Sequence, residues 1–550
     1  MVYGEVLYKA DAVESIGSVV PSTLVVFAMT VDASAQKAVP AAPAAAPTPA
    51  PGPLAVSRSN PRWFTIAASA SNRAVYLTGS HIWNNLQDGM GPGSACAETP
   101  ERFDFPGYLK FLKERGHNFI RLWRWEQFRS QAAGGGFHLC MTPQPWRRIG
   151  AGPGGGSAKD GKPKFDLSRI DEAFFERLRN RVIAAGNEGI YVAVMFFDGW
   201  ALHLSPAPDN VEGHPFFAAN NVNGIGITSI RDYQVLPLDP RVREIQETYI
   251  RKMVDALHDL PNVLYEVANE SSGGGAVDKN FARMLGLGDP PDWGDSTSWQ
   301  YWVIDVVKQH EREKGYQTHP MGMTMQFPVA DQTKVNDPLF ASRAEWISPG
   351  YDDEIFAGGG HPMAPGSPAS RWFDDPPVGD GRKVIITDTD HYAPGKGDAL
   401  WAWKSFLRGH HTILMDFGLI GGTNPADPNA APPGVPPYSA FEAARYAMGD
   451  TRRYADRMKL MDMVPRGDLS TTRYALANPG VEYLVLQPAE TNAEFQVTLT
   501  AGTYAVEWFS VNARETARGT SKTVKKEGPV NFKPSSVKSG PAVLYLRAAR

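Results

Sequence analysis

Asn262-Val263-Leu264-Tyr265-Glu266-Val267-Ala268-Asn269-Glu270-Ser271 opens as a short apolar run containing β-branched valines. Pro261 precedes it and Gly273-Gly274-Gly275 follows. The run is too short for a helix and glycines end it, so it reads as a buried strand. The strand delivers Asn269 and Glu270 together at its C-terminal end. In a parallel α/β barrel that end faces the reaction chamber. Taken alone, a Glu at such a place is as readily a surface acid. The reading therefore rests on finding its companion strands.

Seven further runs flank it. Upstream lie Val75 to Ser80, Phe119 to Trp125 and the nearly all-apolar Ile190 to Phe197. Downstream lie Met321 to Phe327, a weaker Glu345 to Tyr351, Lys383 to Asp388 and His411 to Asp416. Stretches with helical spacing separate most of them, among them Phe105 to Arg115, Ile170 to Ala185, Val242 to Leu260, Thr297 to Lys314 and Ala399 to Arg408. Strands alternating with helices predict parallel pairing. Eight such units predict an α/β (β/α)8 TIM barrel, with the surplus length in the loops after the strands. From Arg473 the texture changes to short strand-like runs with no helix among them, which predicts a small all-β sandwich. The expected domains are a signal-like segment and Ala/Pro linker over 1–53, a catalytic barrel over 54–460 and a sandwich over 461–550.

Composition narrows the partners. A net charge of −4, from 55 basic and 59 acidic residues, gives no field that would favour nucleic acid or an anionic membrane. The 14 Trp and 19 Tyr suit a packed core and equally suit stacking on sugar rings. Cys96 and Cys140 lack metal-ligand spacing, so neither a metal nor another cofactor is expected, and pairing is favoured in an oxidising compartment. The apolar run Val19 to Val31 is too short to span a bilayer. Small residues Ala33-Ser34-Ala35 follow it, as a signal peptidase requires, although Glu5, Asp11 and Glu14 replace the usual basic cluster. The reading favours a secreted or periplasmic protein. Ala38 to Pro53, almost all Ala and Pro, is expected to be an extended, solvated linker.

Strands four and seven face each other across an eight-stranded barrel. Glu270 and Asp388 at their ends are therefore expected to flank one scissile bond, one protonated and one ionised. Asp390, two residues on, is the rival for the second role. Asn269 is placed to bind the hydroxyl next to the reacting carbon. The remaining strand-end candidates for substrate contact are His81, Trp83, Asn84, Arg121, Arg124, Trp125, Asp198, Trp200, Tyr351, His391 and Asp416. For each of these the plainer reading is core packing or a structural ion pair. No phosphate-cradling glycine loop and no Gly-x-Ser-x-Gly elbow is present.

Asn269-Glu270 after strand four, with an acid after strand seven, resembles glycoside hydrolase clan A, the barrels that include cellulase-like enzymes. Tyr76-Leu77-Thr78-Gly79-Ser80-His81, Asp388-Thr389-Asp390-His391 and Trp403-Lys404-Ser405-Phe406-Leu407-Arg408-Gly409 look like a bacterial branch of cellulase-family or apiosidase-like glycosyl hydrolases. In that branch a sandwich labelled as collagen-binding follows the barrel. The resemblance implies Glu270 as acid/base and Asp388 in the nucleophile's place, where the clan has Glu. It implies a retaining glycosidase acting on an oligo- or polysaccharide of plant or microbial origin. An inactive carbohydrate-binding barrel and a transglycosylase stand as alternatives.

Overall fold

The computed structural model describes residues 48–549, apart from 68–72, 93–99, 132–136, 151–155, 204–210, 276–292, 357–366, 421, 432–435, 491–492, 536 and 538–539. Eight strands form one parallel sheet: β1 (Thr78–His81), β2 (Phe119–Leu122), β3 (Tyr191–Asp198), β4 (Val263–Asn269), β5 (Met321–Thr324), β6 (Trp346–Ser348), β7 (Val384–Asp388) and β8 (His411–Met415). Their order is β1-β8-β7-β6-β5-β4-β3-β2, so sequence neighbours are spatial neighbours all the way round. The ladder ends between β1 and β2, and Asn118 bridges the seam. Its backbone N–H donates to Thr78 O at 2.9 Å, and its side-chain amide accepts from Thr78 N at 3.0 Å and donates to Tyr76 O at 2.8 Å. A Cβ on Gly79 would lie 1.9 Å from Phe119 O, so only glycine lets the two strands meet.

Several strand boundaries differ from expectation, those of β1 and β2 among them. Val75 belongs with Ala74 to an antiparallel sheet with Leu54–Val56 and Phe64–Ile66, and the barrel strand starts only at Thr78. Between them the Leu77 N–H is taken by His411 Nδ1 at 2.8 Å rather than by a ladder carbonyl. Strand β2 stops at Leu122 because side chains take over its donors: Asn85 Oδ1 receives Trp123 N–H and Gln87 Oε1 receives Trp125 N–H, each at 2.8 Å.

The main helices are α1 (Phe105–Glu114), α2 (Glu172–Asn187), α3 (Pro240–Leu257), α4 (Thr297–Lys314), α5 (Ala399–Leu407) and α6 (Glu442–Arg457). Asp104, Asp171, Asp239 and Asp398 cap α1, α2, α3 and α5 by accepting first-turn N–H groups, and Gly315 ends α4 in the left-handed conformation. Their apolar stripes pack on the outside of the sheet, in one continuous core. Inside, Phe119, Tyr191, Leu264, Trp346, Ile386 and Ile413 fill the lower barrel, with Leu54 and Phe64 packed against them. The end of the Ala/Pro tract is not solvated as expected. Ala50 N–H donates to Gly186 O at 2.9 Å and Tyr191 OH donates to Gly52 O at 2.9 Å, which ties the tract to the barrel.

Eight C-terminal strands follow: β9 (Val464–Pro465), β10 (Ala475–Asn478), β11 (Glu482–Gln487), β12 (Phe495–Leu499), β13 (Gly502–Ser510), β14 (Glu515–Val524), β15 (Gly528–Phe532) and β16 (Ala542–Ala548). Six make an antiparallel sheet, β9-β10-β11-β16-β13-β14, and β12 and β15 make a second. Strand alternation splits the apolar side chains between two cores. Tyr483, Val485, Tyr504, Leu544 and Leu546 pack with the β12–β15 pair. Leu484, Leu486, Phe509, Val543 and Tyr545 join the barrel's core. Cys140 is disulfide-bonded. The other cysteine, Cys96, lies outside the described residues, as do the signal-like run and most of the linker. No helix among the described residues is long and apolar enough to cross a membrane.

Candidate active site

The parity of three strands builds the site. Phe119, Leu264 and Ile386 belong to the apolar floor of the barrel. Two residues further along the same strands come Arg121, Glu266 and Asp388, which therefore point inward one layer higher. Arg121 is the hub of this layer. Its Nε donates to Glu266 Oε2 at 2.9 Å, Nη1 to Asp388 Oδ2 at 2.7 Å and Nη2 to Asn269 Oδ1 at 3.1 Å. The guanidinium sits 4.9 Å over the Trp123 ring. His81 Nε2 lies 2.9 Å from Asp388 Oδ2, and Asp390 N–H donates to Asp388 Oδ1 at 3.0 Å. Asp388 is wholly buried. Burial alone would neutralise it, but His81 and Arg121 overcome that and hold it well below the usual carboxylate range. Both of its oxygens are spoken for. The strand-end Asp388, expected to flank the scissile bond with Glu270, is thus an ionised carboxylate whose two oxygens are held by Arg121, His81 and the Asp390 N–H.

The next turn carries the chain to the mouth. Asp388 caps a 3-10 turn, Thr389–His391, by accepting the Asp390 N–H, and the turn lifts Asp390 above the Arg121 layer. Glu270 follows β4 with φ +44°, a left-handed backbone that a non-glycine residue adopts at a cost of about 1 kcal/mol or more. One oxygen each of Glu270 and Asp390 and a nitrogen of His391 lie within 4.8 Å of one another. Glu270 is 4% exposed and Asp390 5%, against 0% for Asp388, so these two acids are the ones at the opening. Neither has a Lys, Arg or His within ion-pair distance among the described residues. Burial, then the charges of Asp390 and Asp198, push Glu270 well above its ordinary range. Burial and the charge of Asp388 push Asp390 up to about 8. Two buried carboxyls this close do not both ionise, so the pair holds one proton around neutral pH.

Asn269 and His391 are oriented by what surrounds them. Arg121 can only donate, so Asn269 turns its oxygen to it. His391 Nε2 lies 3.2 Å from that same oxygen and so carries the proton, while Nδ1 accepts from Ser348 Oγ at 2.8 Å. Burial pushes His391 down to about 3, so the ring is neutral. Glu270, Asp390 and His391 have the spacing of a metal-ligand set, but both ring nitrogens are already engaged, so the donor set fits a metal poorly.

The other candidates divide. Tyr351 is buried close enough to Glu270 that the carboxylate adds to burial in raising its phenol. Trp83 is buried edge-on to Phe417 at 5.0 Å and tilted to Trp125 at 6.5 Å. Asn84 and Trp200 are half-buried, and the Trp200 N–H donates to Asp198 Oδ1 at 3.1 Å. Asp198, wholly buried, is pushed well above its range by burial and by Glu126. Arg124 and Asp416 do not join the site. Arg124 donates to Phe196 O at 2.7 Å and pairs with Glu126, which also binds His214 and Tyr233. Asp416 is clamped by Arg445 at 2.7 and 2.6 Å, tying the end of β8 to α6. Sequence reasoning missed Glu266, Ser348 and Trp123. Glu266 had a signal: a charge of the same parity as Leu264 in an apolar strand.

No protein-family model matches this chain, and no curated protein matches it. Solved structures do. A glycoside hydrolase aligns over 90% of this chain and 97% of its own, with TM-score 0.55 and 12% identity. A glycoside hydrolase family 5 protein of Bacteroides vulgatus ATCC 8482 aligns over 90% and 93%, with TM-score 0.52 and 12% identity. A second glycoside hydrolase structure from that organism aligns over 90% and 82%, with TM-score 0.53 and 13% identity. The chain shares its fold with glycoside hydrolases. The likeness extends through barrel and C-terminal β domain together, since each alignment spans nine-tenths of the chain.

Proposed function

We propose that this protein is a retaining glycosidase in which Asp390 is the nucleophile and Glu270 the acid/base. The observation that carries the reading is the Glu270–Asp390 pair: two carboxyls at the mouth of a barrel, with oxygens within 4.8 Å. Retaining glycosidases set their carboxyls about 5 Å apart, whereas inverting ones leave more than about 6.5 Å for a water. The shared proton sits where the first step needs it. The Asp390 carboxylate attacks the anomeric carbon, the bond to the leaving oxygen breaks, and Glu270 passes its proton to that oxygen. A water then attacks the same carbon, Glu270 takes the water's proton, and Asp390 leaves as a carboxylate. Asp388, Arg121 and His81 touch no reacting atom. Through the Asp390 N–H and the Asn269 amide they hold the two residues that do. The substrate is a glycan or glycoside met outside the cytoplasm, consistent with the N-terminal segment read as a secretion signal.

The test is a screen of aryl glycosides followed by two variants. Glu270→Gln is expected to lower turnover by about 10³-fold with an unchanged melting temperature. In Asp390→Gly, azide is expected to restore turnover and give the inverted glycosyl azide, while Asp388→Gly is not rescued. Rescue of Asp388→Gly instead would return the nucleophile's role to the strand-end residue. Binding of sugars with no turnover of any glycoside would favour the inactive barrel.

A further inference from the structure

Among the described residues no hydrogen bond holds the Glu270 carboxyl, so its backbone places it. That backbone is left-handed, with φ +44°, and has to be kept there by its surroundings. The flanking residues supply the hold. Gly199 N–H donates to Asn269 O at 2.7 Å, and Phe327 N–H donates to Ser271 O at 2.9 Å. The connection after β3 is also tight against this step, since a Cβ on Gly199 would stand 2.5 Å from Ser271 Cα and 2.7 Å from Glu270 O. One side chain joins the main-chain bonds: Ser271 Oγ donates to Gln234 Oε1 at 2.8 Å, and both residues are buried. Gln234 is itself anchored. It closes the helical turn Arg231–Gln234, and its N–H donates to Ile230 O at 2.7 Å. Beside it, Tyr233 OH donates to Glu126 Oε2 at 2.8 Å and Tyr233 O accepts from Gln246 Nε2 of α3 at 2.7 Å. Glu126 Oε1 in turn accepts the Asp198 N–H at 2.8 Å. The turn thus ties the end of β3 and α3 to the residue after Glu270. Gln234 Nε2 is buried with no acceptor. An apolar side chain of the same length would avoid that cost, so stability does not account for the amide. Its contact with Ser271 does.

We infer that Gln234 is a positioning residue for the acid/base: through Ser271 it fixes the left-handed step that sets the Glu270 carboxyl against Asp390. The inference rests on the glycosidase reading and deepens it. Gln234 acts only through Ser271, and what it controls is the line along which Glu270 passes its proton to the leaving oxygen. A strongly basic leaving oxygen needs that proton, whereas one that departs as a stable anion does not. Loss of the contact is therefore felt selectively, by glycosides with a poor leaving group.

The test compares the phenyl and dinitrophenyl forms of the best glycoside from the screen, in wild type, Gln234→Met, Ser271→Ala and the double variant. Each variant is expected to lose about 10- to 100-fold in kcat/KM on the phenyl glycoside, the cost of a misplaced proton donor. Each is expected to keep kcat/KM on the dinitrophenyl glycoside near the wild-type value. The double variant is expected to be as slow as either single variant, because the same contact is lost in all three. It is expected to melt no lower than wild type, because neither the hydroxyl nor the amide is left buried and unpaired. If Gln234→Met does not fold, Ser271→Ala and the double variant decide. Equal slowing of both glycosides, or losses that multiply in the double variant, would overturn the inference and leave Gln234 as packing. Failure of wild type to hydrolyse any glycoside would overturn the glycosidase reading, and this inference with it.

Discussion

Asp388 and Asp390 differ by one turn of chain and by opposite electrostatics. Asp388 is ionised because His81 and Arg121 overcome its burial, and Asp390 is pushed up to about 8 because burial and the charge of Asp388 outweigh the pull of Arg121. Their variants should differ accordingly. Asp388→Asn leaves Arg121 with one buried carboxylate fewer and sets an amide N–H near existing donors. It should cost about 3 kcal/mol of stability, measured by chemical denaturation. Asp390→Asn should do the reverse at alkaline pH. In the folded protein the Glu270–Asp390 pair keeps one proton to about 8, whereas in the unfolded chain both acids release theirs near 4. The folded state therefore binds more protons between those values, and stability falls as pH rises through them. The melting-temperature gain of Asp390→Asn over wild type should be larger at pH 8 than at pH 5. A gain independent of pH would show that the carboxyl titrates normally. The same substitution removes the charge that, after burial, does most to raise Glu270, so the Glu270 carboxyl should titrate lower in the variant, read by carboxyl infrared or carbon NMR.

The barrel elements depend on two glycines that side chains cannot replace. At Gly79 an added Cβ meets Phe119 O at 1.9 Å, a backbone atom that cannot rotate away. Gly79→Ala should reopen the β1–β2 seam and lower the melting temperature by several degrees. Gly199→Ala meets Ser271 Cα at 2.5 Å and should displace Glu270. It should cut turnover more than it cuts stability, whereas an unaltered kcat would show that the tight connection serves packing alone. Much at this scale was legible beforehand. The alternation of strands and helices, the glycine stops and Asp390 as a rival acid could all be read along the chain, because periodicity and turn chemistry are local. The boundaries at Leu77 and Leu122 could not. There side chains from His411, Asn85 and Gln87 take the backbone donors that would otherwise extend the strands.

The molecule as a whole is held by shared core more than by its ion pairs. The sheet face carrying Leu484, Leu486, Phe509, Val543 and Tyr545 packs into the barrel's own core. Arg457–Glu507 at 2.6 Å and Arg514–Asp450 at 2.8 Å only fringe it. A chain ended after α6 should expose the barrel surface that this sheet face covers and fail to stay soluble, while Arg457→Ala should change stability by less than about 1 kcal/mol. By itself the sequence determined the order of elements, the barrel with its trailing β domain, and the placing of Asn269-Glu270 at a strand end, because hydrophobic period and glycine positions act within a few residues. Only the tertiary structure decided which acid faces Glu270. That choice turns on Arg121 and His81, far away in the chain, which claim Asp388 for the floor of the site and leave Asp390 at its mouth.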